Sequence, residues 1–235
     1  MLDISLFTFD DLGTFSASLT DTKQVDIWIL DFTLLKEEEM KALLSTEEVA
    51  RAAAFYFERD RRRYACCRGF LRKILSIYIG KKAEEIEFLY GEYGKPFLLG
   101  QPVEFNLSHS GNFLAFAITI GGKIGVDIEL LREMSDIESI VKHYFAPQEC
   151  QKFLSFSLEE RMVAFFNCWT RKEAFIKATG KGLSEPLDAF TVSLESDDAR
   201  LIWVKDREDE LKDWEMVSIR FDQYVVAVAR KFGQL

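Results

Sequence analysis

Asp127 and Glu129 lie two residues apart in the stretch Ile124-Gly-Val-Asp-Ile-Glu-Leu130. Read as a β-strand, the stretch turns Ile124, Val126, Ile128 and Leu130 to one face and both carboxylates to the other, about 7 Å apart. Like charges side by side need a cation or water opposite them. A third carboxylate, Glu173, sits in the helical stretch 165–183. At 100° per residue it falls within the arc of Met162, Phe165, Phe166, Trp169 and Ile176, an apolar face on which an unpaired charge is costly. An i,i+4 ion pair with Lys177 would satisfy it. So would a metal: three carboxylates around a cleft suit Mg²⁺ or Mn²⁺, hard cations that keep waters and accept phosphate oxygens.

A second group is basic. Ten Lys and Arg residues fall between Arg51 and Lys82 against two acidic ones, in a chain of net charge −9. Such a segment in an acidic protein points to a local anionic ligand or to a solvated helix face. Tyr64, Cys67, Phe70, Leu71, Ile74 and Tyr78 form a buried arc that also contains Arg63, whereas Arg61, Arg68 and Arg72 share another side. Arg63 then requires a partner, either a protein carboxylate or a ligand phosphate. Finally, Phe105-Asn-Leu-Ser-His-Ser110 ends a strand in a small polar turn. Ser108, His109, Ser110 and the nearby backbone N–H groups either form an anion-binding nest or close a polar hairpin. Adjacent Ser and His side chains diverge on a strand, and there is no G-x-S-x-G, so a hydrolase triad is excluded.

These residues need elements to hold them. Residues 24–32 alternate as a strand. Residues 45–79 read as one helix, opened by Ser45 or Thr46 with Glu48 in the first turn and ended by Gly80. Strands follow at 103–109, 113–120 and 123–130, with a Gly-Gly turn at 121–122. Residues 135–179 read as helical with a break at Ala146-Pro147, and the chain closes in strands and a long hairpin. The order strand, helix, strands therefore occurs twice. It predicts an α+β protein of two similar subdomains, 1–120 and 121–235, with a ligand cleft between them and the metal carboxylates in the second.

Composition sets the outer bounds. Hydrophobic residues at 48% and charged residues at 29% fit a globular protein. The acidic net charge argues against general nucleic-acid binding. No apolar run is long enough for a bilayer, and the opening residues lack the pattern of a signal peptide. Four cysteines with no CxxC pair read as reduced thiols. The expectation is a cytoplasmic monomer that engages neither membrane nor nucleic acid.

Gly94-Lys95-Pro96, then Phe105 to Ser110, then Gly125-Val126-Asp127-Ile128-Glu129, then Trp169-Thr170-Arg171-Lys172-Glu173-Ala174 with Lys177 resemble, in order and spacing, the 4′-phosphopantetheinyl transferases of the Sfp type. The resemblance runs from about Ser45 to the final hairpin. It implies an α+β fold of two halves related by a pseudo-twofold axis, with coenzyme A between them. It implies transfer of the 4′-phosphopantetheine arm of coenzyme A to a serine of an apo acyl, peptidyl or polyketide carrier protein, releasing adenosine 3′,5′-bisphosphate. Asp127, Glu129 and Glu173 would hold Mg²⁺, or Mn²⁺ in its place, against the pyrophosphate. Ser108, His109 and Lys177 would contact the phosphates, Lys95 would lie along the adenosine, and Arg51 and Arg63 would sit near the 3′-phosphate. Glu173 is also the candidate base for the serine, directly or through a water, with Lys177 as its catalytic companion. Such chemistry depends on positioning and charge neutralisation. The runner-up is another metal-dependent phosphohydrolase or nuclease using the same carboxylates with water as nucleophile. A relative that binds coenzyme A or a carrier without turnover is the third reading.

Overall fold

A computed structural model describes residues 2–17 and 19–233 of the chain. Strand β1 (Asp3–Phe7), which the sequence pattern did not announce, pairs in parallel with β2 (Gln24–Asp31). Short helix α1 (Glu37–Lys41) and helix α2 (Thr46–Ala53) follow. Ser45 caps α2 reciprocally: its Oγ accepts the Glu48 N–H at 3.3 Å, and Glu48 Oε2 accepts the Ser45 N–H at 3.0 Å.

The single helix expected over 45–79 is two helices. After α2 the chain turns, and α3 runs from Glu58 to Ile79. The reason is tertiary. Glu48 forms ion pairs of 2.7 Å with both Arg68 and Arg72, which on one straight helix would lie about 30 Å and about 36 Å away. The chain must fold back to make them. Arg68 and Arg72 are therefore buried rather than on a solvated side, and Arg72 also donates to the Ala83 and Ile86 carbonyls.

A small hairpin of β3 (Leu89–Tyr90) and β4 (Pro96–Phe97) leads to strands β5 (Val103–Ser110), β6 (Phe113–Ile120) and β7 (Lys123–Leu130). The helical region 135–179 breaks twice, giving α4 (Ile137–Tyr144), α5 (Pro147–Ser155) and α6 (Leu158–Thr179). Pro147 opens α5, as expected of proline in a first turn. The second break, absent from the sequence reading, falls at Ser157, which caps α6 through Glu160. Strands β8 (Phe190–Val192), β9 (Leu201–Val204), β10 (Trp214–Phe221) and β11 (Tyr224–Lys231) complete the chain.

Strands β1, β2, β5 and β6 form a sheet in the order β1-β2-β6-β5, strands β7, β10 and β11 form one in the order β10-β11-β7, and β3 with β4 and β8 with β9 make two small separate pairs. Val25, Ile27, Ala115 and Ala117 of the first meet Ile124, Val126 and Ile128 of the second, so the two sheets share one buried core. Helix α3 covers the first sheet through Phe70, Leu71 and Ile74. Helix α6 covers the second through Ala174, Phe175 and Ala178. The two helices are each 22 residues long, and each ends on a left-handed glycine, Gly80 or Gly180. The α+β architecture of two alike halves is thus present. All four cysteines are free.

Candidate functional site

Alternation along β7 works as expected: Ile124, Val126 and Ile128 enter the core between the sheets, and Gly125, Asp127 and Glu129 face the other way. Gly125 lets α6 approach. A Cβ at that position would lie 2.0 Å from the Ala174 carbonyl oxygen and 2.4 Å from the Ala178 nitrogen. Helix and strand backbones therefore touch, and the side chains that flank Ala174 and Ala178 on α6, Glu173 and Lys177, come level with the two acids.

The cation that the acidic strand face required belongs to the chain itself. Lys177 Nζ donates to Asp127 Oδ1 at 2.6 Å and to Ser108 Oγ at 2.7 Å, while Ser108 Oγ donates to the same Asp127 oxygen at 2.7 Å. The Glu173–Lys177 pair does not form, because buried Asp127 takes the ammonium. Trp169, Glu173 and Lys177 instead make a half-buried stripe, with the core of α6 on the other sides of the helix.

Negative charge remains in excess there. Burial, and then the charge of Asp127, raise the Glu129 carboxyl above its ordinary range, against a hydrogen bond from Ser110. Burial and Asp127 likewise raise Glu173, with Lys177 opposing. Asp127 Oδ2 is buried and has no hydrogen-bond partner among the described residues. No three His, Cys, Asp or Glu side chains among them stand as a ready-made metal cluster. The donor set still fits a hard divalent cation: it is all oxygen, it includes an orphaned carboxylate oxygen, and it carries charge that one lysine does not neutralise.

Lys177 also reaches into a cavity of about 380 Å³ between the two halves. Arg51, Arg63 and Arg68 line it from α2 and α3, Tyr90, Tyr93 and Lys95 from the β3–β4 hairpin, and His109 from β5. Arg63 has a protein partner, Asp60 at 2.8 Å, and still faces the cavity. Arg51 packs over the Tyr64 ring, 5.6 Å from its centroid. Lys95 Nζ donates to the Ile124 carbonyl at 2.8 Å and sits 3.5 Å from that of Ala178, in the last turn of α6. Burial pulls its pKa down to about 8. Its place in the cavity wall, with Arg63 and Lys177 nearby, also lowers the pKa of His109.

The structure thus joins Ser108, Asp127 and Lys177 directly, couples Glu129 and Glu173 to them, and gathers Arg51, Arg63, Lys95 and His109 around the adjoining cavity. Sequence reasoning missed Arg68, Tyr90 and Tyr93 in the cavity wall. For the two tyrosines the signal was the aromatic run Phe88, Tyr90, Tyr93 just before Lys95.

Comparison with known proteins decides what this arrangement belongs to. Residues 36–120 match the family model "4'-phosphopantetheinyl transferase, N-terminal", and residues 123–229 match "4'-phosphopantetheinyl transferase superfamily". The 4′-phosphopantetheinyl transferase HetI of Nostoc sp. is 40% identical over 177 residues, 73% of this chain and 74% of that protein. The chain belongs to the 4′-phosphopantetheinyl transferase family. A putative 4′-phosphopantetheinyl transferase of Synechocystis, slr0495, is 36% identical over 70% of this chain and 68% of its own length. Sfp of Bacillus subtilis is 34% identical over 69% of this chain and 71% of its own length. The chain is therefore a transferase of the phosphopantetheine arm, with coenzyme A as substrate and a carrier protein as acceptor. A phosphohydrolase or nuclease built on the same carboxylates finds no support in these matches. No helix among the described residues is long and apolar enough to cross a membrane.

Proposed function

We propose that coenzyme A lies in the cavity between halves 1–120 and 121–235, with its pyrophosphate at the carboxylate cluster of the second half. The observation that carries this reading is Lys177, whose ammonium is held on Asp127 at 2.6 Å and also lines the cavity. One side chain thus belongs both to the nucleotide space and to the acids.

Arg51 and Arg63 would bind the 3′-phosphate, Lys95 would lie beside the adenosine, and His109, Ser108 and Lys177 would contact the phosphates. His109 offers a ring N–H donor toward a phosphate oxygen. Asp127, Glu129 and Glu173 would hold Mg²⁺ or Mn²⁺; that ion, when bound, would neutralise charge on the phosphate oxygens. Glu173 would take the proton of the acceptor serine as its oxygen attacks the phosphorus bearing the pantetheine arm, and adenosine 3′,5′-bisphosphate departs. Lys177 would balance negative charge as the bisphosphate separates. The working form in this reading is a cytoplasmic monomer that acts on acyl, peptidyl or polyketide carriers without membrane or nucleic-acid partners.

The test is incubation with coenzyme A, Mg²⁺ and a panel of apo carrier proteins, followed by intact-protein mass spectrometry. A carrier gaining one phosphopantetheine arm at its serine is expected, with loss of labelling in Asp127→Ala and Glu129→Ala. Full labelling by either variant at saturating Mg²⁺ would remove those residues from the metal site. Arg63→Ala should weaken coenzyme A more than 3′-dephospho-coenzyme A; equal losses would take the 3′-phosphate away from it.

A further inference from the structure

We infer that Ser110 is a positioning residue that orients Glu129 and thereby sets the affinity of the carboxylate site for its divalent cation. The inference rests on the proposal above that these carboxylates hold the ion. Asn106, Ser108 and Ser110 occupy alternate positions on β5 and form a comb along the edge of β7. Asn106 Oδ1 accepts the Val126 N–H at 2.9 Å. Ser108 Oγ donates to Asp127 at 2.7 Å. Ser110 Oγ accepts the Leu130 N–H at 3.1 Å and donates to Glu129 Oε2 at 2.8 Å. Side chains thus do for the two sheets what a backbone ladder does within one.

A hydroxyl has one proton and two lone pairs. The Leu130 N–H fixes the Ser110 oxygen from the backbone side, so its single proton is aimed at Glu129. One carboxylate oxygen is thereby held, and the other is left to turn toward a ligand. Ser110 itself carries no charge and lies outside the cavity lining. Hydrogen bonds of this kind to ligating carboxylates are worth about 10–100-fold in metal affinity.

Mn²⁺ titrated into the protein with saturating coenzyme A, followed by the paramagnetic resonance of free Mn²⁺, reads that affinity without turnover. Ser110→Ala should bind Mn²⁺ about 10–100-fold more weakly, Ser110→Thr should bind as wild type does, and coenzyme A binding without metal should be unchanged. In a Glu129→Ala background, Ser110→Ala should add nothing, because its hydrogen-bond partner is already lost. Wild-type Mn²⁺ affinity in Ser110→Ala, or the same further loss in the Glu129→Ala background, overturns the role of Ser110 alone. Mn²⁺ binding that Asp127→Asn leaves untouched overturns the metal assignment, and this inference with it. Should Ser110→Ala prove unfolded by circular dichroism, Ser110→Cys, near-isosteric but a poor donor, faces the same criteria.

Discussion

Lys95 carries the clearest pH signature in the molecule. Its ammonium is buried against two backbone carbonyls, and burial lowers its pKa from 10.5 to about 8. With the folded value below the unfolded one, the unfolded chain holds more protons between those two pH values. Stability therefore rises with pH across that window, and the full desolvation penalty applies below about pH 8. A phosphate or ribose oxygen arriving beside the ammonium would favour the charged form again. Coenzyme A binding at pH 8 should thus take up about half a proton, read by calorimetry in two buffers of different ionisation enthalpy. Lys95→Met should abolish the uptake, and no uptake in wild type would place Lys95 away from the ligand. A second expectation concerns charge rather than shape. Asp127→Asn keeps the Ser108 contact but leaves Lys177 without its anion, and kcat/KM for transfer should fall by about 100-fold or more. At this scale the sequence singled out side chains that the fold brings together, but not their partners. Lys177 was matched by spacing to Glu173 four residues earlier, whereas its actual partner, Asp127, is 50 residues away. Helical periodicity sees neighbours along a helix; it does not see a strand packed beside one.

Two elements place the site, and each hinges on one residue. Helix α6 lies against β7 only because position 125 lacks a side chain. The atoms that an added methyl would strike are backbone, not flexible side-chain tips, so Gly125→Ala must push the whole helix outward. Overpacking of this sort costs about 1–3 kcal/mol, or about 2–12 °C in Tm for a chain of this size. The displacement acts directly on Glu173 and Lys177, so transfer at 25 °C should fall much further than the population of folded protein. Scanning calorimetry beside the labelling assay separates the two; unchanged transfer would mean that the helix approach is not needed. Helix α2 is fixed by Glu48, which caps its own first turn and bridges Arg68 and Arg72 on α3. Glu48→Gln breaks a buried ionic triad, a loss of about 3–5 kcal/mol. It should raise KM for coenzyme A through Arg51 and the displaced cavity wall, with kcat nearly preserved. An unchanged KM would detach α2 from the nucleotide site. The cap of α2 was legible in Ser45 and Glu48, because capping is a local pattern. The break after Ala53 was not, because it serves a pairing with residues 20 and 24 positions on.

For the whole molecule, alternation predicted which faces of the strands are apolar but not which apolar faces meet. Ile124, Val126 and Ile128 pack against Val25, Ile27, Ala115 and Ala117, every one of them essentially inaccessible to solvent. The halves thus share a layer between their sheets in addition to the core that each has beneath its own helix, and the comb of Asn106, Ser108 and Ser110 stitches the adjoining edges of β5 and β7. Neither sheet can lose its partner without exposing that layer to water, at about 25 cal/mol for each Å² of apolar surface. The duplicated order of elements should therefore not produce two independent folding units. Trp28 reports on the first half, and Trp169, Trp203 and Trp214 on the second. In urea, the fluorescence of a variant retaining only Trp28 and that of a variant retaining only Trp214 should follow one transition, coincident with the loss of far-ultraviolet dichroism. Fragments 1–120 and 121–235 expressed apart should be unfolded or aggregated, each presenting its half of the shared layer to solvent. Two separated transitions, or a cooperative melt from either fragment alone, would show that the sheets close on themselves and that the cleft joins two self-sufficient bodies.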